Sequence, residues 1–147
     1  MNTRSQSRSA ARLAAVQALY QHRMEGTALA KLLDEFHQHR LGREIEDEHY
    51  AAADVDFFDD LVGGTLARSG EIDALLAERL AEGWSLERLD RTMLQILRAG
   101  ADELLARPDV PVGTAISEYV DVAHAFFDAR EAGFVNGILD KVAKAVR

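Results

Sequence analysis

The feature that most constrains the fold is a helical repeat of apolar residues along almost the whole chain. In its strongest stretch, apolar side chains return every three or four positions: Leu86, Leu89, Met93, Ile96, Leu97, Leu104 and Leu105. This spacing places them on one side of an α-helix. Runs of β-branched residues, which favour strands, are absent from the sequence. The pattern therefore predicts an all-α protein with this segment as its central core helix.

Short breaks divide the repeat into about seven predicted helices. The first two are expected from about Ser9 to Arg23 and from about Thr27 to His39, and an acidic segment over residues 41–54 is expected to be a loop. The chain of 147 residues is long enough for one core, and we interpret residues 1–147 as a single domain. The predicted core is Leu89, Met93, Ile96, Leu97, Leu104, Ile116, Val120, Ile138 and Leu139.

The sequence predicts how three of the helices begin. Ser85 is expected to cap the core helix, with Trp84 packed on Leu89 as a hydrophobic staple. Pro111 suits the first turn of the following helix. The segment DAREAG at residues 128–133 is expected to interrupt the chain before a last helix that begins at Phe134.

Sequence signals for catalysis, metals and membranes are weak. The chain has no cysteine, no HExxH motif and no glycine-rich phosphate loop, and His37 and His39 are spaced for different faces of a helix. No apolar stretch is long enough for a membrane span, and Arg12 and Gln17 interrupt the apolar N-terminal segment that a signal peptide would need. We therefore expect a cytoplasmic protein without catalytic residues, metal or cofactor.

Charge is distributed unevenly along the chain. The net charge is −8, yet residues 1–23 contain four arginines and no acid, and residues 141–147 contain three cations and no acidic side chain. The middle of the chain contains the other 10 basic and all 25 acidic side chains, a net charge of −15. Such asymmetry is typical of a local anion site on an otherwise anion-repelling body.

The N-terminal arginines are the first candidates for that site. Arg4, Arg8 and Arg12 recur every four residues, so a helix would place them on one face, and we expect that face to be exposed. Arginine's planar fork suits phosphate. Tyr20 follows two turns after Arg12, where a base could stack on its ring. The alternative is that the arginines are only solvated and that Tyr20 belongs to the core.

Four motifs in order resemble the NusB family of bacterial transcription antitermination factors. They are Ala11-Arg12 with Ala15-Val16-Gln17-Ala18-Leu19-Tyr20, Leu97-Arg98 with Glu103-Leu104, Asp109-Val110-Pro111 with Ile116-Ser117-Glu118, and Phe134-Val135-Asn136-Gly137-Ile138-Leu139-Asp140. The resemblance covers the chain except about residues 26–54. We expect Asn136 and Gly137 to be structural, with Gly137 permitting a close helix crossing.

The resemblance implies an all-α fold of two helical bundles and no enzyme activity. It also implies binding of single-stranded boxA RNA together with the ribosomal protein NusE, within the antitermination complex on RNA polymerase during ribosomal RNA synthesis. The protein is expected to be a monomer or a homodimer. Carried over by position, the candidate RNA-binding residues are Arg4, Arg8, Arg12, Gln17, Tyr20, Phe126, Arg130 and Phe134.

Two departures from the family pattern bear on these residues. The basic start is broken into single arginines, and Glu131-Ala132-Gly133 replaces the family's Ser-x-Lys before Phe134, so that Arg130 is expected to compensate. Because the partner is expected to be basic, Glu87 and Asp90 on the acidic body are its candidate contacts. The alternatives are a helical interaction scaffold that never meets RNA, and a NusB-like module related to RNA methyltransferases without catalytic activity.

Overall fold

The computed structural model describes residues 3–39, 41 and 53–147, and within them it contains seven α-helices, one 3-10 turn and no strand. The predicted all-α class is therefore confirmed. The elements are α1 (Thr3–Glu25), α2 (Leu29–His39), α3 (Val55–Ala67), α4 (Ser69–Ala77), the 3-10 turn (Leu86–Arg88), α5 (Arg91–Ala106), α6 (Val112–Phe126) and α7 (Ala129–Val146). The loop expected over residues 41–54 lies outside the described residues, apart from 41, 53 and 54.

The chain divides into two compact units, residues 1–63 and 64–147, with the boundary inside α3. In the first unit α1 and α2 pack together, and the apolar side chains of α1, α2 and α3 are buried because each helix is apolar on one side. Phe36 and Phe58 stack with ring centroids 5.5 Å apart, and His37 lies 2.6 Å from an oxygen of Asp59. These contacts join α2 to the first turns of α3.

Helix α5 is the central element of the second unit, as the apolar repeat predicted. It packs against α4, α6 and α7, and eleven of its sixteen residues are buried. Seven of the nine predicted core residues are buried; Leu89 and Val120 are the two that remain partly accessible. Leu89 precedes α5, because the helix is capped by Asp90 and not by Ser85 as predicted.

The start of α5 lies five residues later than predicted, because its cap is Asp90 and not Ser85. Asp90, not Ser85, caps the helix: its carboxylate accepts the backbone N–H groups of Thr92 and Met93 at 2.8 and 3.1 Å. Ser85 precedes the 3-10 turn and forms no side-chain cap. Because Trp84 precedes that turn and not α5, the expected staple on Leu89 is also wrong.

Other helix ends differ from the sequence prediction for similar reasons. The last helix begins at Ala129, where Asp128 accepts the N–H of Arg130, so DAREAG forms the first turns of α7 and not a break. Helix α1 begins at Thr3, and α2 begins at Leu29, two residues after the expected start at Thr27. The prediction placed helix starts where the apolar repeat began, whereas capping and polar first turns extend or shift them.

Buried charges in the second unit are paired. The Tyr119 hydroxyl donates to the fully buried Glu103 carboxylate at 2.8 Å. Arg98 on α5 donates two hydrogen bonds of 2.8 Å to Asp73 on α4. The Leu97-Arg98 and Glu103-Leu104 motif is thereby accounted for by packing, because unpaired charges at these positions would cost several kcal/mol.

Two cations at the C-terminal end of the chain, Arg147 and Lys144, interact with groups of the same chain. The Arg147 guanidinium donates to the carbonyl oxygens of Leu104, Arg107 and Val110 at 2.8, 2.7 and 2.9 Å. Lys144 pairs with Asp140 at 3.0 Å. Arg147 thus donates hydrogen bonds to carbonyl groups at and beyond the end of α5. Its positive charge also interacts favourably with the negative C-terminal end of the helix dipole. The main role of Arg147 in the acid-free C-terminal segment is therefore to cap α5, and not to bind an anion.

The close helix crossing expected at Gly137 occurs at Gly100. A Cβ built on Gly100 would lie 2.7 Å from Leu139 Cδ1 on α7, whereas one on Gly137 meets nothing within 4 Å. Gly137 and Asn136 are both exposed, and the close crossing expected at Gly137 is wrong. Their place in the motif predicted packing, but they lie on the outer face of α7 while Val135, Ile138 and Leu139 face inward.

A pair of glycine substitutions tests this crossing. Gly100→Ala should lower the free energy of unfolding by about 1–3 kcal/mol, because the added methyl overpacks the buried contact with Leu139. Gly137→Ala should raise it by about 0.5–1 kcal/mol, because alanine is the better helix former and has room. Urea unfolding followed by circular dichroism measures both. Equal effects of the two substitutions would contradict the assigned crossing.

Candidate nucleic-acid interface

The predicted arginine face of α1 is only partly on the surface. Arg4 is exposed, Arg8 is half-buried and Arg12 is buried, with 3% of its surface accessible. The guanidinium carbons of Arg8 and Arg12 lie 4.6 and 4.9 Å from the centroid of the Phe57 ring. The expectation that both arginines are exposed is therefore wrong, and their stacking on an aromatic ring is the physical reason.

The start of α3 holds this part of α1 in place. Asp54 donates its backbone N–H to the Ser7 carbonyl at 3.0 Å, and its side chain accepts the N–H of Phe57 at 3.0 Å. A carboxylate oxygen of the same residue lies 3.8 Å from Arg8 Nε. Asp54 thus caps α3 while binding α1, and it sets Phe57 beneath the two arginines. Sequence reasoning treated the arginines only as cations and missed this packing role.

The exposed face of α1 lies further along the helix. Gln17 and Tyr20 are exposed, with 39% of Tyr20 accessible, so the alternative that Tyr20 belongs to the core is wrong. Arg23 and Met24 follow within one turn and are exposed as well. Residues three and four apart are neighbours on a helix. An aromatic ring therefore lies beside a cation, Arg23, which sequence reasoning left out of the candidate set.

In the second unit the three candidate residues are all exposed. Phe126 ends α6 with 42% of its surface accessible, and Phe134 on α7 has 38% accessible. Arg130 lies one turn before Phe134 on α7. Exposed phenylalanines are costly to hydrate, so their position is more typical of a binding surface than of a core.

Two residues near Phe134 were missed by the sequence analysis as candidates. Trp84 is the most exposed large apolar side chain among the described residues, at 55%, and the Arg88 guanidinium carbon lies 5.3 Å from its ring centroid. Both line an open pocket of about 480 Å³ together with Arg130 and Phe134. The signal was the tryptophan in the Gly83-Trp84-Ser85 break, which was interpreted as a staple.

The candidate partner contacts differ in their structural duties. Glu87 lies in the 3-10 turn and is exposed, while the Asp90 carboxylate caps α5.

In the described part of the chain no group of three or more potential metal ligands occurs, and no helix has the length and apolarity needed to cross a membrane.

The helical fold and these exposed aromatic and arginine side chains define an α-helical protein with candidate nucleic-acid-binding surfaces in both units. Residues 9–144 match the model of the NusB family. The chain therefore belongs to the NusB family.

Relatives and a solved structure agree with this assignment. The chain is 69% identical over 147 residues to the transcription antitermination protein NusB of Sphingopyxis alaskensis, covering 100% of this chain and 99% of the relative. It is 74% identical over 141 residues to that of Novosphingobium aromaticivorans, covering 96% and 95%. A structure of antitermination factors NusB and NusE with double-stranded RNA has a similar chain, with a TM-score of 0.75, 25% identity, and coverage of 95% and 97%.

A substitution at Arg12 tests its packing role. Arg12→Ala should lower the free energy of unfolding by about 1–2 kcal/mol, because it removes a buried stack on Phe57. Arg4→Ala is the matched control and should change it by no more than about 0.5 kcal/mol, since Arg4 is exposed. Chemical denaturation measures both variants. An unfolding midpoint for Arg12→Ala equal to that of Arg4→Ala would contradict the packing role.

Proposed function

We propose that this protein is a transcription antitermination factor that binds single-stranded boxA-type RNA of nascent transcripts together with the ribosomal protein NusE. In this proposal it joins the antitermination complex on RNA polymerase and supports ribosomal RNA synthesis. It acts in the cytoplasm by binding, without catalysis, and residues 1–147 serve as one RNA-binding domain, in a monomer or a homodimer.

The observation behind the proposal is that the family motifs contain aromatic side chains that lie on the surface and do not contribute to the core. Alanine, valine and leucine of the α1 motif are buried, while Gln17 and Tyr20 are exposed. In the α7 motif Val135, Ile138 and Leu139 are buried, while Phe134 is exposed. Exposed aromatic rings beside arginines suit unpaired bases, because every base presents a π-face for stacking.

The relatives support this function over the alternatives. Two relatives that match this chain over nearly their whole length are named transcription antitermination proteins, which favours that function over a module related to RNA methyltransferases. The similar chain bound to NusE and RNA supports both partners and disfavours a scaffold that never meets RNA. Because that complex holds double-stranded RNA, the strandedness of the ligand needs a direct test.

A binding titration tests the function. Fluorescently labelled single-stranded boxA-type RNA, and a duplex of the same sequence, are titrated with the protein in the presence and absence of NusE. We expect the single strand to bind more tightly than the duplex and NusE to strengthen binding. The absence of RNA binding both with and without NusE would contradict the proposal and favour the scaffold.

Tyr20 provides the sharpest single-residue test on α1. Tyr20→Ala should weaken RNA binding by about 1–3 kcal/mol through the loss of a stacked base, whereas Tyr20→Phe should retain most of the affinity. Anisotropy titrations measure the affinity, and a melting curve of each variant checks that the fold is intact. Unchanged affinity of Tyr20→Ala would remove this residue from the interface.

The partner surface can be tested through association kinetics. Glu87→Lys combined with Asp90→Asn should slow association with basic NusE at low salt, because both changes remove negative charge from one surface. Asn replaces Asp90 because it preserves the cap on α5, which a charge reversal would break. Glu25→Lys in the first unit is the charge control. An on-rate indistinguishable from that of the control would exclude this surface.

A further inference from the structure

The second unit contains an open pocket of about 480 Å³ whose purpose the packing of the helices does not explain. Aromatic and apolar side chains line it, among them Trp84, Leu89, Met93, Phe127 and Phe134. The pocket also takes in two arginines, Arg88 from the 3-10 turn and Arg130 from α7.

Trp84 is the most informative side chain in this pocket. Its side chain remains 55% accessible, more than any other large apolar side chain among the described residues. Arg88 covers the ring at 5.3 Å and is itself held by a 2.5 Å hydrogen bond to the Gly83 carbonyl. The ring is therefore preorganised by a cation next to it, and much of its surface remains open to a ligand.

Two arginines at the pocket, Arg88 and Arg130, provide contacts for an anionic ligand. Among the described residues, neither Arg88 nor Arg130 forms an ion pair within 4.0 Å, although Arg130 interacts electrostatically with Asp128. Of the two acids that line the pocket, Asp90 directs its carboxylate to the backbone of α5. Glu131 is the remaining acid, and it is half-buried.

We infer that this pocket binds one unpaired nucleobase of a single-stranded RNA, stacked on Trp84, with the flanking phosphates contacted by Arg88 and Arg130. Aromatic stacking combined with arginine is the common recognition chemistry for unpaired nucleotides. A basic protein segment is the less favoured occupant, because Arg88 and Arg130 would repel it. The inference rests on the proposed function and adds a site that includes Trp84 and Arg88.

The chain contains one tryptophan, so intrinsic fluorescence reports on this pocket alone. Titration of the unlabelled boxA-type single strand into the protein with NusE bound should quench the Trp84 emission saturably. The midpoint should match that of the labelled-RNA titration. The quenching by RNA is measured from the emission of the NusE-bound protein, because the candidate NusE contacts Glu87 and Asp90 adjoin the pocket. Any tryptophan of NusE is replaced by phenylalanine.

Variants test the same site independently of fluorescence. Trp84→Ala should weaken RNA affinity by about 5- to 150-fold, and Trp84→Phe should restore most of it. Val55→Ala, which removes an exposed apolar side chain in the first unit outside the candidate interface, is the matched control and should bind as the wild type does. Glu131→Gln should strengthen binding about two- to fivefold, because it removes a carboxylate that repels phosphate.

The outcomes separate this site from the function itself. Normal RNA binding by Trp84→Ala, with no quenching in the wild type, would overturn the pocket and leave the proposed function intact. Weaker binding of NusE to Trp84→Ala in the absence of RNA would also overturn it, because the pocket would then be a protein-docking site. Failure of the wild type to bind RNA under any condition would overturn both. Melting curves establish that each variant is folded.

Discussion

Burial of α5 is the constraint on which the second unit depends. Helices α4, α6 and α7 all pack on it, and Gly100 allows α7 to approach so closely that Leu139 occupies the space of a side chain. A helix surrounded in this way exposes little of its polar surface, so its charged residues need partners within the fold. Arg98 pairs with Asp73, and Glu103 accepts from Tyr119.

The two ends of α5 connect its buried part with residues at the surface of the second unit. Asp90 satisfies the first N–H groups, and Arg147 satisfies a carbonyl of the last turn. Met93, in the first turn, is buried yet also lines the pocket that contains Trp84 and Phe134. Phe126, Arg130 and Phe134 thus lie on helices that pack on α5, whereas Trp84 and Arg88 lie in the connection that precedes it.

The sequence predicted the fold class well because helical periodicity is a local property. It predicted α5 as the core helix for the same reason. It could not identify Asp90 as the cap, since Ser85 offered an equally good local signal. It also could not reveal that Arg12 stacks on Phe57, because that contact joins residues far apart in the chain. Gly100 and Gly137 differ only in what surrounds them, which periodicity does not specify.

These differences change which cations can meet RNA. Charge distribution alone favoured Arg8 and Arg12, but one is half-buried and the other buried, while Arg4, Arg23, Arg88 and Arg130 are exposed. We therefore expect stacking on exposed aromatic rings to supply much of the RNA affinity, with few phosphates contacted. The salt dependence of RNA affinity without NusE tests this most directly. Four phosphate contacts predict a slope of log K against log salt of about −3 or shallower. A slope of about −5 or steeper would contradict this expectation, because phosphate contacts beyond these four arginines would then be required.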